Sequence, residues 1–467
     1  MDRLVIGKSA SGYMGALFED NKVVEVFHED FESISGNIYL GRVERVIKTL
    51  EGAFINIGTG KKAFLKLKDI TPLYKKEILK GEDLKSGMKV LVQVKKDETK
   101  KKGPQVTTKI SIPGRFLVYF PVSFAMGVSK KISGGERERL KKLLRKLRDK
   151  SRGIVIRTAA SGIDGEIISE EYKELKKTWE NLVKTYKRSR KVKLLYTTPT
   201  VVDLILRDKV NKKLSEIITN DLSVKGKAEE LIKKYKFKNM TVRYEEDDIF
   251  EKYDIYSKMR EITRRTVHLD SGAEIIIDRT EALTAIDVNT ASSIKGHDQE
   301  NLILKTNIEA AKEIARQLRL RNIGGIIIID FIKMKSNESR EKVVKALKEE
   351  LRKDSAKTEI FGFTSLGLLE MTRKRTSKPV EDYFLSVCPI CRGTGFVLSP
   401  RIIFSHLDKE VDKVEGVKKI KITVHQSMSG YITSKIIRTW KRRAKAKIEV
   451  DFSWYDPNSY DIKYYNE

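Results

Sequence analysis

Cysteine is almost missing from this chain: 467 residues contain two, Cys388 and Cys391. A disulfide framework is thereby excluded. Histidine is also scarce, and the five present (His28, His268, His297, His406, His425) form neither an HExxH motif nor a paired cluster. No apolar run approaches the roughly 18 residues a spanning helix requires. The opening Met1-Asp-Arg-Leu-Val-Ile-Gly has no signal-peptide architecture, so a cytoplasmic protein is expected. Internal repeats and low-complexity tracts are absent too. Acidic residues are outnumbered, 65 Asp+Glu against 94 Lys+Arg, leaving a net charge of +29. That excess points to a polyanionic partner, nucleic acid or an anionic membrane surface. A thermophile's surface would explain many charges but not the dominance of positive ones. The length predicts several domains with sizeable cores.

What is present centres on Leu269–Phe331. Two apolar runs, Glu281-Ala-Leu-Thr-Ala-Ile-Asp287-Val-Asn289 and Gly324-Gly-Ile-Ile-Ile-Ile-Asp330-Phe331, read as buried β-strands, being short, β-branched and bounded by turn signals. Between them, from Asn301 to Arg321, Leu304, Ile308, Ala311, Ala315 and Leu318 recur at helical spacing. Strand, helix, strand predicts a crossover between parallel strands, with Asp287 and Asp330 at one sheet edge. Carboxyl ends of parallel strands are where open α/β sheets build sites. Two carboxylates there suit Mg²⁺, which prefers oxygen ligands and keeps waters for a phosphate to displace. Alternation turns Asn289 to the same side as Asp287, placing an amide beside the metal. Either aspartate alone reads more simply as a turn residue or helix cap; the pair favours metal.

In chain order, residues 1–34 alternate as short strands around an Asp20-Asn21 turn, too few for a core. Asn37–Val46, Gly52–Gly58, Lys62–Leu65, Met88–Val94 and Thr107–Ser111 make five short strands separated by turns, the pattern of a small closed barrel of the OB type. Phe54 and Phe64 with Lys95, Lys96 and Lys100–Lys102 supply the aromatic and basic groups that hold single-stranded nucleic acid. Core packing is the plainer reading for at least one Phe, and a solvated loop for the lysines. Residues 115–197 carry two amphipathic helices, one striped by Leu140, Leu143, Leu144 and Leu147, the other by Tyr172, Leu175, Trp179, Leu182 and Tyr186. Between them Ile156-Arg157-Thr158-Ala-Ala-Ser161-Gly162 runs a strand into small polar residues. Such a turn holds a phosphate, or is a plain loop. In 198–262 Thr200 caps one helix and Gly226 precedes another. A hairpin (Thr266–Leu269, Glu274–Asp278) opens the central stretch, and a helix at Glu338–Arg352 and a strand near Thr358–Phe363 follow it.

Val387-Cys388-Pro-Ile-Cys391-Arg-Gly393-Thr-Gly395 has the form of a zinc knuckle. Zinc takes four ligands, so either His406 and another residue complete the site or two chains give two cysteines each. A redox pair or two buried thiols are the alternatives. Beyond Ser399 the reading is a small α/β domain: a strand Lys419–Val424, a helix around Ser427–Trp440, a basic run Lys441–Lys447 and a final strand Ile448–Phe452. It suits assembly or RNA contact better than catalysis.

Glu281–Asn289, Glu313-Ile-Ala-Arg-Gln-Leu-Arg-Leu-Arg321, Ile329-Asp-Phe-Ile332, Gly367–Arg373 and the Cys-Pro-x-Cys-x-Gly-Thr-Gly run together resemble the catalytic region of the ribonuclease E/G family of bacterial endoribonucleases. The likeness is co-linear as far as Gly395, and the length is nearer the G type. It implies a multidomain α/β protein: a ribonuclease H-like subdomain in two parts (1–34 and 198–262), an inserted S1-type OB barrel (35–112), a 5′-sensor region (113–197), a DNase I-like catalytic subdomain (263–384), a zinc link (385–397) and a small C-terminal domain (398–467). It implies that Asp287 and Asp330 bind Mg²⁺, that Asn289 orients the scissile phosphate, and that a metal-activated water leaves a 5′-phosphate and a 3′-hydroxyl. Phe54, Phe64 and Lys102 match RNA-contact positions. Arg157, Thr158 and Val118 match the pocket for a 5′-monophosphate end. Two further arginines of that pocket fall on Lys130 and Lys357, which keep the charge but not the bidentate fork. Cys388 and Cys391 match a Zn²⁺ link between two protomers, two such dimers forming a tetramer. The expected substrate is single-stranded, A/U-rich RNA, including rRNA precursors and mRNA, with roles in rRNA processing and mRNA decay; the long scaffold of the E type, with its degradosome sites, is not expected. An RNA-binding protein with structural aspartates, or a DNA nuclease, are the rival expectations.

Overall fold

The computed structural model describes residues 2–466 apart from 30–32, 99–101, 148–151, 238, 291–298, 376–378 and 415. Lys100, Lys101 and His297 therefore lie outside the described residues. The chain is a mixed α/β protein in two compact units, Met1–Tyr383 and Phe384–Glu467.

The three N-terminal strands, Asp2–Ser9, Gly12–Glu19 and Lys22–His28, form a meander whose second turn places Asp20 and Asn21 at positive φ. Short polar side chains tolerate that region. Their missing core is supplied from far along the chain. Leu214–Thr219 pairs in parallel with Asp2–Ser9, and Thr241–Tyr244 extends the sheet. Leu4, Ile6 and Leu17 then pack against Val202, Leu206, Val224 and Ala228 of the helices Val201–Lys209 and Leu222–Tyr235. Thr200 caps the first helix in a reciprocal box with Asp203. Gly226 lies inside the second helix rather than ahead of it, because Asp221 does the capping by accepting from the amides of Ser223 and Val224.

Five strands close a barrel of the OB type: Ile38–Ile47, Gly52–Asn56, Ala63–Lys66, Gln105–Thr107 and Lys89–Lys96, with Ile38–Ile47 pairing again with the last. The fourth of these starts earlier than the expected Thr107–Ser111, and the segment Lys193–Tyr196 adds a sixth strand outside the 35–112 range. Ala53, Ile55, Ala63 and Leu65 fill the barrel while their neighbours in sequence point out. Next to it a four-stranded sheet, Met126–Val128, Gly153–Ile156, Leu117–Phe120 and Ile112–Pro113, is covered by the helices Gly134–Leu147 and Gly165–Arg188. Leu140, Leu144, Tyr172, Trp179, Leu182 and Tyr186 are buried in the core they share with the barrel.

The sheet that matters most for chemistry runs in the order Thr266–His268, Glu274–Arg279, Leu283–Asn289, Gly325–Asp330, Leu369–Arg373, Thr358–Phe363. The helix Gln299–Leu320 makes the crossover between the two parallel strands, and Asn337–Leu351 packs beside it. Both helices bury one face of the sheet: Ile286, Val288, Ile327 and Ile329 meet Ala311, Ile314, Leu318, Val343 and Leu347. The opposite face keeps Ala285, Asp287, Asn289, Asp330 and Glu370 exposed.

The C-terminal unit has a three-stranded sheet, Lys447–Asp451, Lys419–Val424, Tyr460–Tyr465, packed on the helices Pro400–Asp412 and Ser434–Ala444 around Trp440. The helix expected around Ser427–Trp440 is two pieces, a 3₁₀ turn at Gln426–Met428 and a helix that starts after the Thr433 cap. Tyr460–Tyr465 is a further strand beyond the one expected to be last. Among the described residues no helix is long and apolar enough to cross a membrane.

Candidate functional site

Asp330 closes its strand and is the direct partner, in the parallel register, of Asp287, two residues before the end of the neighbouring strand. Neighbouring strands lie about 4.8 Å apart, and both carboxylates point to the uncovered face. Asn289, two residues on, donates from Nδ2 to Asp287 Oδ2 at 2.8 Å and holds that carboxylate in place. The Asp330 side is fixed from behind: Asn307, fully buried on the crossover helix, donates to the Ile332 carbonyl (2.8 Å) and accepts from its amide (3.1 Å). A buried amide satisfied on both sides leaves the turn after Asp330 little freedom. Two adjacent, water-exposed carboxylates and one amide fit a hard cation that keeps most of its waters. They do not form a closed protein cage, and among the described residues no cluster of three or more His, Cys, Asp or Glu exists.

On the barrel, Phe54 and Phe64 are register partners, half-buried on the outer surface, with ring centroids 5.7 Å apart edge to face. Neither belongs to the core, which corrects the plainer reading of these rings. Gly52 allows the arrangement: a Cβ there would lie 2.2 Å from Phe64 Cζ. Lys66, Lys95, Lys96 and Lys102 are exposed around the barrel surface.

On the four-stranded sheet Pro113, Val118, Val155 and Gly127 form one row, and Arg157 follows just beyond the end of the strand Gly153–Ile156. Thr158 starts a 3₁₀ turn and its hydroxyl lies 2.8 Å from that of Ser129. Arg157 Nη1 donates to the Gly114 carbonyl at 2.7 Å and pairs with Asp208 Oδ1 at 2.8 Å. Lys130 follows Ser129 and is exposed. Lys357 is exposed beside Glu359, 3.5 Å away. Lys131 bridges their segments by donating to the Asp354 carbonyl. No hydrogen bond or ion pair joins Lys130 or Lys357 to Arg157 among the described residues.

Cys388 and Cys391 sit on a tight turn in the C-terminal unit. Backbone amides of Gly395 and Gly393 lower the Cys391 thiol pKa, with Cys388 adding to the effect. Favouring thiolate suits a metal ligand. The donors number two and His406 joins no metal-binding cluster among the described residues, so the set is half of what zinc takes.

A model of the Ribonuclease E/G family matches residues 111–376. The chain belongs to the ribonuclease E/G family. With that membership comes the enzyme class, an endoribonuclease and hence a hydrolase. Ribonuclease G of Salmonella typhimurium (strain SL1344) is 37% identical over 415 residues, 85% of this chain and 84% of that protein. Ribonuclease G of Escherichia coli (strain K12) aligns to the same extent. Ribonuclease E of Haemophilus influenzae is 36% identical over 435 residues, which are 90% of this chain and 46% of that protein.

For a ribonuclease E/G chain, the residues that escaped sequence reading are those that hold others in place. Asn307 reads as one more polar residue on an amphipathic helix. Asp354 and Arg373 pair where Lys131 arrives, and Asp208 meets Arg157 from a distant helix. Only Arg373 lies in a motif, closing Gly367–Arg373, and that motif does not reveal its partner. Only Gly52, a glycine opening a strand before an aromatic, carried a signal.

Proposed function

We propose that this protein is a Mg²⁺-dependent endoribonuclease that cuts single-stranded, A/U-rich RNA and prefers substrates with a 5′-monophosphate, in rRNA processing and mRNA decay. The observation that carries the reading is the register pairing of Asp287 with Asp330 on an open sheet face, with Asn289 bonded to the first. Bound there, Mg²⁺ supplies a Lewis acid that neutralises phosphate charge and makes water a better nucleophile. Asp287 and Asp330 provide the oxygen ligands, and Asn289 keeps Asp287 oriented and offers its amide to a phosphoryl oxygen. Water attack at phosphorus breaks the bond to the 3′ oxygen, which takes up a proton, so the downstream fragment carries a 5′-phosphate and the upstream one a 3′-hydroxyl. The fold assignment that accompanies this reading is a ribonuclease H-like first sheet and a DNase I-like catalytic sheet.

Phe54 and Phe64 give bases a stacking platform, with Lys102 near the phosphates. Stacking reads no base edges, so the A/U preference reflects segments that stay unpaired. Phe64→Ala should weaken binding of a single-stranded oligonucleotide by about 1–3 kcal/mol in anisotropy titrations with EDTA. An unchanged affinity would remove the barrel face from the account. Arg157, Thr158, Val118, Lys130 and Lys357 are assigned to the 5′ end.

Cys388 and Cys391 are assigned to a Zn²⁺ shared with a second protomer, giving a dimer, with the C-terminal unit joining dimers into a tetramer. Metal analysis should find one-half equivalent of zinc per chain, and Cys388→Ser should lose it together with half the mass in light scattering. One full equivalent would place the site within each chain. The reading as a whole is tested by cleavage of one oligonucleotide carrying a 5′-hydroxyl, monophosphate or triphosphate. The monophosphate should be cut fastest, and equal rates would remove end recognition.

A further inference from the structure

We infer that the Asp208 carboxylate is a built-in competitor for the 5′-terminal phosphate at Arg157, and that it sets how sharply the enzyme separates monophosphorylated from hydroxyl ends. The inference rests on the assignment of Arg157 and Thr158 to that end.

Arg157 is already engaged: its Nη1 pairs with Asp208 Oδ1 at 2.8 Å while donating to Gly114. Thr158 is engaged too, through Ser129. An arriving end must exchange these contacts for its own. Both partners of the Arg157–Asp208 pair are about 30% exposed, so the exchange is within reach of solvent. Asp208 has a second partner ready. Arg207 grips the same carboxylate as a fork, Nε to Oδ1 at 2.9 Å and Nη2 to Oδ2 at 2.8 Å. When Arg157 is surrendered, the carboxylate stays paired, and no orphan charge opposes release.

Helix stability does not account for Asp208. It occupies the last turn of Val201–Lys209, where the helix dipole disfavours a negative charge. Its backbone is nevertheless clamped. Buried Arg115 donates to the carbonyls of Leu206 (3.1 Å), Arg207 (2.8 Å) and Val210, and lies against the rings of Phe116, Tyr235 and Phe237. The carboxylate cannot retreat by fraying. Burial pushes its pKa up, but Arg207 and Arg157 outweigh that and hold it below the usual carboxylate range, so it is ionised at neutral pH. A phosphate monoester carries roughly −1.5 to −2 at pH 7 and displaces a single carboxylate charge from a guanidinium. A hydroxyl has no charge with which to do so.

The test is steady-state cleavage by the full chain of oligonucleotides identical except for a 5′-monophosphate or 5′-hydroxyl. Asp208→Asn should raise the monophosphate-to-hydroxyl ratio of kcat/KM about two- to fivefold, the size of a partly exposed ion pair, with the change in KM. Arg207→Gln should lower the ratio, since all of the carboxylate's charge then falls on Arg157. If Asp208 instead orients Arg157 for the phosphate, Asp208→Asn lowers the ratio; that outcome, or an unchanged ratio with both rates near the parent's, overturns the proposal while leaving end recognition intact. Should Asp208→Asn slow both substrates alike, Arg207→Gln decides, and an unchanged or higher ratio there overturns it. A parent enzyme indifferent to the 5′ end would sink both readings together.

Discussion

Asparagine in place of Asp287 or Asp330 is expected to lower the rate of RNA cleavage about a thousandfold or more, a loss of roughly 4 kcal/mol of transition-state stabilisation. Each change keeps the shape of the side chain and removes one of the two register-paired carboxylates assigned to the metal. Such a site concentrates positive charge where the scissile phosphate becomes more negative, and half a ligand set concentrates far less. RNA affinity in EDTA should stay close to that of the parent, because the barrel rings lie on a different sheet. Asn289→Ala should cost less, about a hundredfold, the loss of one oriented donor. Single-turnover rates paired with anisotropy titrations check both. A variant that loses binding and rate in proportion would place these residues in the RNA groove instead.

Asp354→Ala is expected to destabilise the large unit by about 3–5 kcal/mol, the cost of leaving a buried charge without its partner. Arg373 and Asp354 are almost wholly enclosed, with Arg373 Nε 2.6 Å and Nη2 3.2 Å from the two carboxylate oxygens. Arg373 Nη1 completes the set on Asn322 and Ile323, and Asp354 accepts from the amide of Ala356. The double change Asp354→Leu with Arg373→Met should recover most of the loss, since removing both charges leaves no orphan. Thermal unfolding followed by circular dichroism reads the difference: a fall of several degrees for the single variant, a smaller one for the double.

The crossover and its paired aspartates were legible because Ile286, Val288, Ile327 and Ile329 are buried on one face and form apolar runs, while Ala311, Ile314 and Leu318 recur at helical spacing. Burial writes itself into sequence as periodicity. The closed barrel was legible for the same reason, although its fourth strand starts at Gln105, where a short segment rich in polar residues has no alternation to mark its register. Tyr460–Tyr465 went unnoticed because Asp461 and Lys463 interrupt it and Tyr464 and Tyr465 are exposed. Of the candidate site, the aspartates and Asn289 follow from strand alternation. Asp208, Asn307 and the Asp354–Arg373 pair do not. Their partners are set by tertiary packing, and a polar residue on a helix looks the same whether it faces solvent or a buried carbonyl.

The most direct test of the account is single-turnover cleavage of a 5′-monophosphorylated, single-stranded oligonucleotide as Mg²⁺ is titrated, with the chemistry of both new ends identified. The account predicts no cleavage in EDTA, a rate that rises with Mg²⁺, and products with a 5′-phosphate and a 3′-hydroxyl. Cleavage that persists in EDTA and leaves a 2′,3′-cyclic phosphate with a 5′-hydroxyl would contradict it.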